Sequence, residues 1–263
     1  MDTATKTDEL QQQRSEAVLW LKLNRPQALN SLTLSLVNAL ATAIKDAEND
    51  PDVRVIVLTG EGRAFCAGAD LKDPARSRPE SGAEFVKAIG ALTELIEASP
   101  RPVIAAINGI AVAGGLELVL ACDVVIAAES ARLGDAHSNY ALFPGAGSTV
   151  RLPRKVGLNN AKLLMFSGEM LPASEWKTLG LVSQVVADDG FVDAVSALAK
   201  KLAVKSPLVL ARMKQALNDA VDQPLPIALR YERALSNLHH FSSDRVEGLT
   251  AFKEKRAPRF TGN

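Results

Sequence analysis

The sequence predicts an α/β fold in which helices cover parallel strands on both faces and a helical region closes the chain. Three observations predict it. Apolar, β-branched runs recur along the N-terminal part, amphipathic helical periods fill the gaps between them, and strand signals cease after about residue 195.

The first run is AVLWLKL at residues 17–23, followed by VRVIVLTG at 53–60, VIAAINGIAV at 103–112 and DVVIAA at 123–128. The last three are nearly continuous in apolar residues, as expected of strands buried on both faces. LVSQVVA at 181–187 is a weaker strand. After the first run, Leu34, Val37, Leu40, Ala41 and Ile44 share one helical stripe, and Pro51 stops the pattern. A second helix runs through EFVKAIGALTELIEAS at 84–99 and ends before Pro100 and Pro102, because the residue preceding a proline avoids helical geometry. The stretch 116–121 is a short helix in which Glu117 is the one polar residue. Downstream, residues 194–204, 207–221 and 224–239 read as three helices, with VEGLTAFKEKRAPRF after them. The chain therefore divides into an α/β core over residues 1–194 and a helical region over 195–263.

Composition narrows the function classes. Of 263 residues, 47% are hydrophobic but only 5% aromatic, so the core is built from Ala, Val, Leu and Ile. Lys+Arg and Asp+Glu balance at 30 each, which argues against a nucleic-acid partner. Cys66 and Cys122 form no CxxC pair and read as free thiols in a reducing compartment. The polar start MDTATKTDELQQQR lacks a signal-peptide core, and no apolar run approaches the ~18 residues of a membrane span. The expectation is a soluble, cytoplasmic protein.

Two segments carry chemistry. GRAFCAGADLK at 62–72 follows a strand and is punctuated by Gly62 and Gly68; its backbone either approaches a ligand closely or simply connects strand to helix. In NGIAVAGGLELVLACD at 108–123 a strand runs into Ala113-Gly114-Gly115, where a helix begins and its free N–H groups favour developing negative charge. Glu117, in the first turn among Leu116, Leu118, Val119 and Leu120, is a carboxylate in apolar surroundings, which suits acid/base work better than a solvated helix start. Two Gly-rich turns could give two N–H donors to one carbonyl oxygen, an arrangement fit for an enolate next to a thioester. Gly145–Ala146–Gly147–Ser148–Thr149 has the small residues of a phosphate loop without its lysine, and no histidine, cysteine or carboxylate cluster suggests a metal. His137, one of three histidines, lies in LGDAHSNYALFPGAG at 133–147 and is either a pocket group or a loop histidine bonded to backbone.

These residues resemble the crotonase superfamily, the enoyl-CoA hydratase/isomerase family. The resemblance rests on LNRPQALNSL at 23–32, AFCAGADLK at 64–72, RPVIAAINGIAVAGGLELVLACDVVIA at 101–127, LFPGAGSTVRLPRKVG at 142–157, GLVSQVV at 180–186 and EGLTAFKEKRAPRF at 247–260. It implies a crotonase-like spiral of ββα units with a C-terminal helical trimerisation region, assembled as a homotrimer or a hexamer made of two trimers. It implies an acyl-CoA thioester substrate and no metal or redox cofactor. By position the oxyanion-hole amides are Ala69 and Gly114. Ala67, Gly68, Asp70, Leu71 and Lys72 meet the CoA, with Arg25, Ala28, Leu29 and Gly115 near it. Phe252 and Lys255 reach CoA from the same or a neighbouring subunit. Glu117 matches the first catalytic glutamate of the hydratases, while His137 stands where the second is expected, and Ala113 replaces a common third glycine.

The reaction expected is water addition to a 2-enoyl-CoA, with Glu117 and His137 as the acid/base pair or Glu117 alone. The rivals are enoyl-CoA isomerisation, another crotonase reaction (hydrolysis, decarboxylation or C–C cleavage), and a non-catalytic acyl-CoA binder. Asp135 and Tyr140 are further polar groups should His137 point away.

Overall fold

The apolar runs pair into one sheet, and the short segments that follow them pair into another. In the computed structural model, which describes residues 9–73 and 79–263, the strands are β1 (Leu10–Ser15), β2 (Val18–Leu23), β3 (Val55–Gly60), β4 (Ala64–Cys66), β5 (Val103–Ile107), β6 (Ile110–Val112), β7 (Val124–Ala128), β8 (Arg132–Gly134), β9 (Leu171–Pro172) and β10 (Gln184–Val186). The larger sheet has the order β1-β2-β3-β5-β7-β10 and the smaller β4-β6-β8-β9. Successive pairs β3/β4, β5/β6 and β7/β8 each place one strand in either sheet, and neighbours along the spiral pair in parallel. This is the ββα spiral the resemblance implies. Most of the polar N-terminal stretch, residues 1–8, lies outside the described residues.

The helices are α1 (Leu34–Asn49), α2 (Pro79–Ala98), α3 (Gly114–Ala121), α4 (Ser148–Val156), α5 (Leu158–Ser167), α6 (Ala173–Thr178), α7 (Phe191–Ala203), α8 (Pro207–Ala220), α9 (Leu225–His239) and α10 (Ser243–Glu254). Thr33 caps α1, its hydroxyl accepting from the Leu36 amide at 3.1 Å. Of the expected stripe Val37, Leu40 and Ile44 are buried, Leu34 and Ala41 only half-buried, and Leu36, Ala43 and Ala47 join the buried face. Every residue of α3 is buried, Glu117 included, as a helix otherwise free of polar side chains requires.

The run VIAAINGIAV does not form one strand. Asn108 and Gly109 turn the chain from the larger sheet into the smaller. The Asn108 amide donates to the Gly62 carbonyl at 2.8 Å and its carbonyl accepts from Gly60 N at 3.1 Å. A Cβ on Gly109 would lie 2.2 Å from the Arg63 carbonyl oxygen, so the corner demands glycine. β1 carries no apolar alternation because it is an edge strand, antiparallel to β2.

α7 returns to the sheet, burying Phe191, Val195 and Ala199 against β2, β3 and β7. α8 and α9 behave otherwise: only Pro207 is buried among them, while Met213, Leu217, Val221, Leu225 and Leu238 are exposed. Lys214 pins α8 to the core, its Nζ donating to the Ile96 carbonyl at 2.9 Å and to Asp123 at 2.8 Å. Cys66 and Cys122 are free and buried, and burial pushes both thiols up to about 12. Among the described residues no helix is long and apolar enough to cross a membrane.

Gly115 seats α3 against β4: a Cβ there would stand 2.1 Å from the Cys66 carbonyl oxygen. Gly115→Ala therefore overpacks the core and costs about 1–3 kcal/mol, read as a lower Tm in a thermal melt. Gly82→Ala, in α2 with nothing within 4 Å of the new methyl, leaves Tm unchanged or raises it.

Candidate active site

The loop after β4 is laced to the chain preceding α1. Ala67 N donates to the Leu29 carbonyl at 3.0 Å, Leu32 N to the Gly68 carbonyl at 2.7 Å, and Asp70 N to the Leu32 carbonyl at 2.9 Å. In this parallel bridge Leu32 holds the peptides on either side of Ala69, and the Ala69 N–H is aimed away from it. Gly68 has φ +83°, a conformation that glycine adopts without strain. On the facing side Gly114 opens α3, so its amide has no acceptor within the helix. A Cβ built on Gly68 would lie 3.0 Å from the Gly114 nitrogen. The two turns, far apart in sequence, thus abut.

They edge a cavity of about 310 Å³. Phe85, Val86, Ile89, Leu142 and Phe143 give it apolar walls, and Ala67, Ala69, Leu71, Gly114, Glu117, His137 and Tyr140 are also among its lining. Glu117 is 3% exposed, and its Oε1 accepts from the amides of Ala146 at 2.8 Å and Ser148 at 3.2 Å. The stretch 145–149 therefore is an anion cradle, for the protein's own carboxylate rather than a phosphate. Gly147 at φ +109° shapes it. The Ala146 carbonyl accepts from Arg151 Nη1 at 2.9 Å and from the Thr93 hydroxyl at 3.2 Å, and Arg151 in turn pairs with Glu97 at 2.7 Å.

His137 begins a short 3-10 turn, His137–Tyr140, and is 9% exposed. It lines the same cavity as Glu117, and its ring bonds to the Asp135 side chain rather than to backbone. Nδ1 lies 2.9 Å from Asp135 Oδ1; a carboxylate only accepts, so Nδ1 donates. Burial pushes the Glu117 carboxyl above its ordinary range, and the Ala146 and Ser148 amides and the His137 charge only partly offset it. Burial pulls His137 down, but the Asp135 hydrogen bond and charge, with the Glu117 charge, outweigh it and leave His137 above its ordinary value.

The other expected residues divide. Arg25 is a brace: it pairs with Glu9 at 3.0 Å and Asp70 at 2.9 Å, and donates to the Ser31 carbonyl at 2.6 Å. Asp70 is buried enough to be pushed up, yet Arg25 and the Lys72 amide leave it below its usual range. Gly115 packs on Cys66 instead of lining the cavity, and Ala28, Leu29, Gly68 and Lys72 border the loop without lining it either. Phe252, which is exposed, and Lys255 sit at the end of α10 outside this chain's cavity.

The model of the family described as enoyl-CoA hydratase/isomerase matches residues 13–263. The chain belongs to that family. It is 40% identical to 2,3-dehydroadipyl-CoA hydratase of Escherichia coli over 97% of this chain and 99% of that one. It is 39% identical to 1,2-epoxyphenylacetyl-CoA isomerase of the same species, over 94% and 96%. Its fold matches the crystal structure of an enoyl-CoA hydratase from Bacillus anthracis with a TM-score of 0.94 at 40% identity, covering 97% and 100%. This crotonase-superfamily member is thus an acyl-CoA enzyme of the hydratase/isomerase family, and His137 is among the residues that line its cavity.

Sequence reasoning missed the supports of the site. Asn30, buried at φ +55°, donates to the carbonyls of Glu61 at 2.9 Å and Ala64 at 2.7 Å and accepts from Arg25 N at 2.8 Å, tying the two loops together. An asparagine in a turn tolerates that left-handed geometry, which is the signal it offered.

Because folding lifts the Glu117 pKa, the folded chain keeps a proton that the unfolded chain loses, and this residue erodes stability as pH rises above its ordinary 4.5. Glu117→Gln removes that titration. Its Tm relative to the parent chain should therefore improve as pH is raised above 4.5, in melts run across pH; a difference independent of pH contradicts the burial account.

Proposed function

We propose that the protein adds water across the double bond of a 2-enoyl-CoA thioester, using Glu117 and His137 as its acid/base pair. The observation that carries this reading is that Glu117 and His137 line one cavity together with Ala69 and Gly114. The thioester oxygen accepts from those two N–H groups. Glu117 takes a proton from the water as its oxygen bonds to C3, and the π electrons pass to the thioester oxygen as an enolate. The His137 imidazolium then gives its proton to C2. A proton passing from Glu117 to His137 restores both groups, and the sum is one water added. No step calls on a metal or redox group.

The apolar walls formed by Phe85, Val86, Ile89, Leu142 and Phe143 suit the acyl chain. The loop 67–72, with Ala28 and Leu29, takes the pantetheine and adenine, and Phe252 and Lys255 reach the CoA of a neighbouring protomer. Isomerisation of the double bond asks for one proton shuttle and is the second reading, supported by the family's description as enoyl-CoA hydratase/isomerase. Two proton-carrying groups of different chemistry at one cavity favour hydration over it.

With crotonyl-CoA, Glu117→Gln should lower kcat by ~10²-fold or more, the scale of a lost acid/base. Both pKa values being raised, kcat/KM should rise with pH through the Glu117 ionisation and fall through that of His137, above about 6.5. His137→Ala removes the alkaline limb along with most of the rate. Near-parental turnover by Glu117→Gln contradicts the assignment, and an unchanged His137→Ala profile makes His137 a wall of the pocket.

The exposed Met213, Leu217, Val221, Leu238 and Phe252 of the last helices support assembly as a homotrimer or a hexamer. Light scattering should give the mass of three or six chains; a monomer at micromolar concentration contradicts it.

A further inference from the structure

Asp135 stands apart from the other buried carboxylates among the described residues. Asp244 accepts from Ser206 and from the amides of Thr261 and Gly262, and Glu117 accepts from two amides. Asp135, 1% exposed, has its Oδ1 against His137 alone, through the ring at 2.9 Å and the amide at 3.4 Å, and its Oδ2 has no partner among the described residues. A buried carboxylate this poorly served depends on one compensating charge. The proton of His137 supplies it.

The backbone is arranged to make this contact. Side chains two residues apart meet here because Ala136 between them adopts φ +53°, a conformation that costs a residue other than glycine. Asp135 leaves β8 where that strand is held hard: the Gly134 carbonyl accepts from Ala113 N at 3.1 Å, and Trp176 Nε1 donates to the Leu133 carbonyl at 3.0 Å. The same Ala113 precedes the Gly114 amide. The acid/base ring and the amide turn are therefore set from one pair of strands, β6 and β8.

We propose that Asp135 is a positioning residue of the site: it holds a proton on His137 Nδ1, fixing the ring so that Nε2 is the nitrogen presented to the acyl cavity. This rests on the reading of His137 as the proton donor. Asp135 does its work through the ring and does not touch the substrate. The titratable groups around His137 are Glu117 from α3, Asp135 from the end of β8, Tyr140 on its own turn, and Lys162 of α5, which lines the cavity of about 340 Å³ behind the pair. Two carboxylates bear on one imidazole, so its protonated form is the one the site sustains.

The test uses the full chain. Nitrogen-15 NMR of the His137 ring, assigned by difference against His137→Gln, reports tautomer and titration; crotonyl-CoA kinetics across pH report turnover. In the parent chain, neutral His137 should carry its proton on Nδ1 and titrate above ~6.5. Asp135→Asn should lower that midpoint by about one unit, move the alkaline limb of kcat/KM with it, and cut kcat about tenfold or more. In a His137→Gln background the same substitution should cost less than about twofold, since its effect runs through the ring. The proposal is overturned by a parent ring protonated on Nε2, by an Asp135→Asn ring with unchanged tautomer and midpoint, or by an equal loss in both backgrounds. If His137→Gln keeps full activity while Asp135→Asn still releases the ring, Asp135 holds the ring and the reading of His137 as donor is what fails.

Discussion

Gly68 and Gly114 bring two backbone turns into contact, and each group of the site is placed relative to that meeting. A Cβ on Gly68 would lie 3.0 Å from the Gly114 nitrogen, and one on Gly115 would intrude on Cys66. Larger residues at these positions would push α3 off β4 and part the two amides that face the cavity. The constraint extends outward. The loop carrying Ala69 keeps its path through the Leu32 bridge, through the Arg25–Asp70 pair and through Asn30. Backbone, not side chains, thus builds this part of the site, and amides fixed by the fold need no reorganisation to serve as donors.

Around that contact the protein buries charge that it only partly compensates. Glu117 enters an apolar helix and meets the amides of Ala146 and Ser148, yet burial still prevails and its proton is held above the ordinary range. His137 is displaced in the same direction for the opposite reason, since carboxylates overcome its burial. On the proposed reading, the carboxylate takes a proton and the imidazolium, at the same cavity, gives one. The cradle for Glu117 depends on Arg151, which fixes the Ala146 carbonyl while held by Glu97.

Much of this was legible in the sequence, for physical reasons that differ by element. β3, β5 and β7 stood out because strands buried on both faces are apolar throughout. Glu117 stood out as the polar residue of a buried helix. β1 gave no sign, since a Gln-rich edge strand has no face to bury, and the corner at Asn108–Gly109 was hidden inside an apolar run that continues in both sheets. α4, α5 and α6 are short, with Gly157 and Gly168 at positive φ ending the first two; α4 does bury one stripe, Ser148, Leu152 and Val156, but with only two apolar members it does not stand out from its surroundings. The direction of His137 depends on the left-handed Ala136, and the amides that hold Glu117 come from 29 and 31 residues away; neither leaves a pattern in side-chain type.

The account's central claim is that water and a proton are delivered to the two carbons of one double bond. Mass spectrometry of the product formed from crotonyl-CoA in deuterated, oxygen-18-labelled water tests it most directly. The account predicts an intact CoA thioester heavier by one water, with one deuterium fixed at C2 and the solvent oxygen on C3. Release of free CoA, or a product of unchanged composition with its double bond moved, would contradict it.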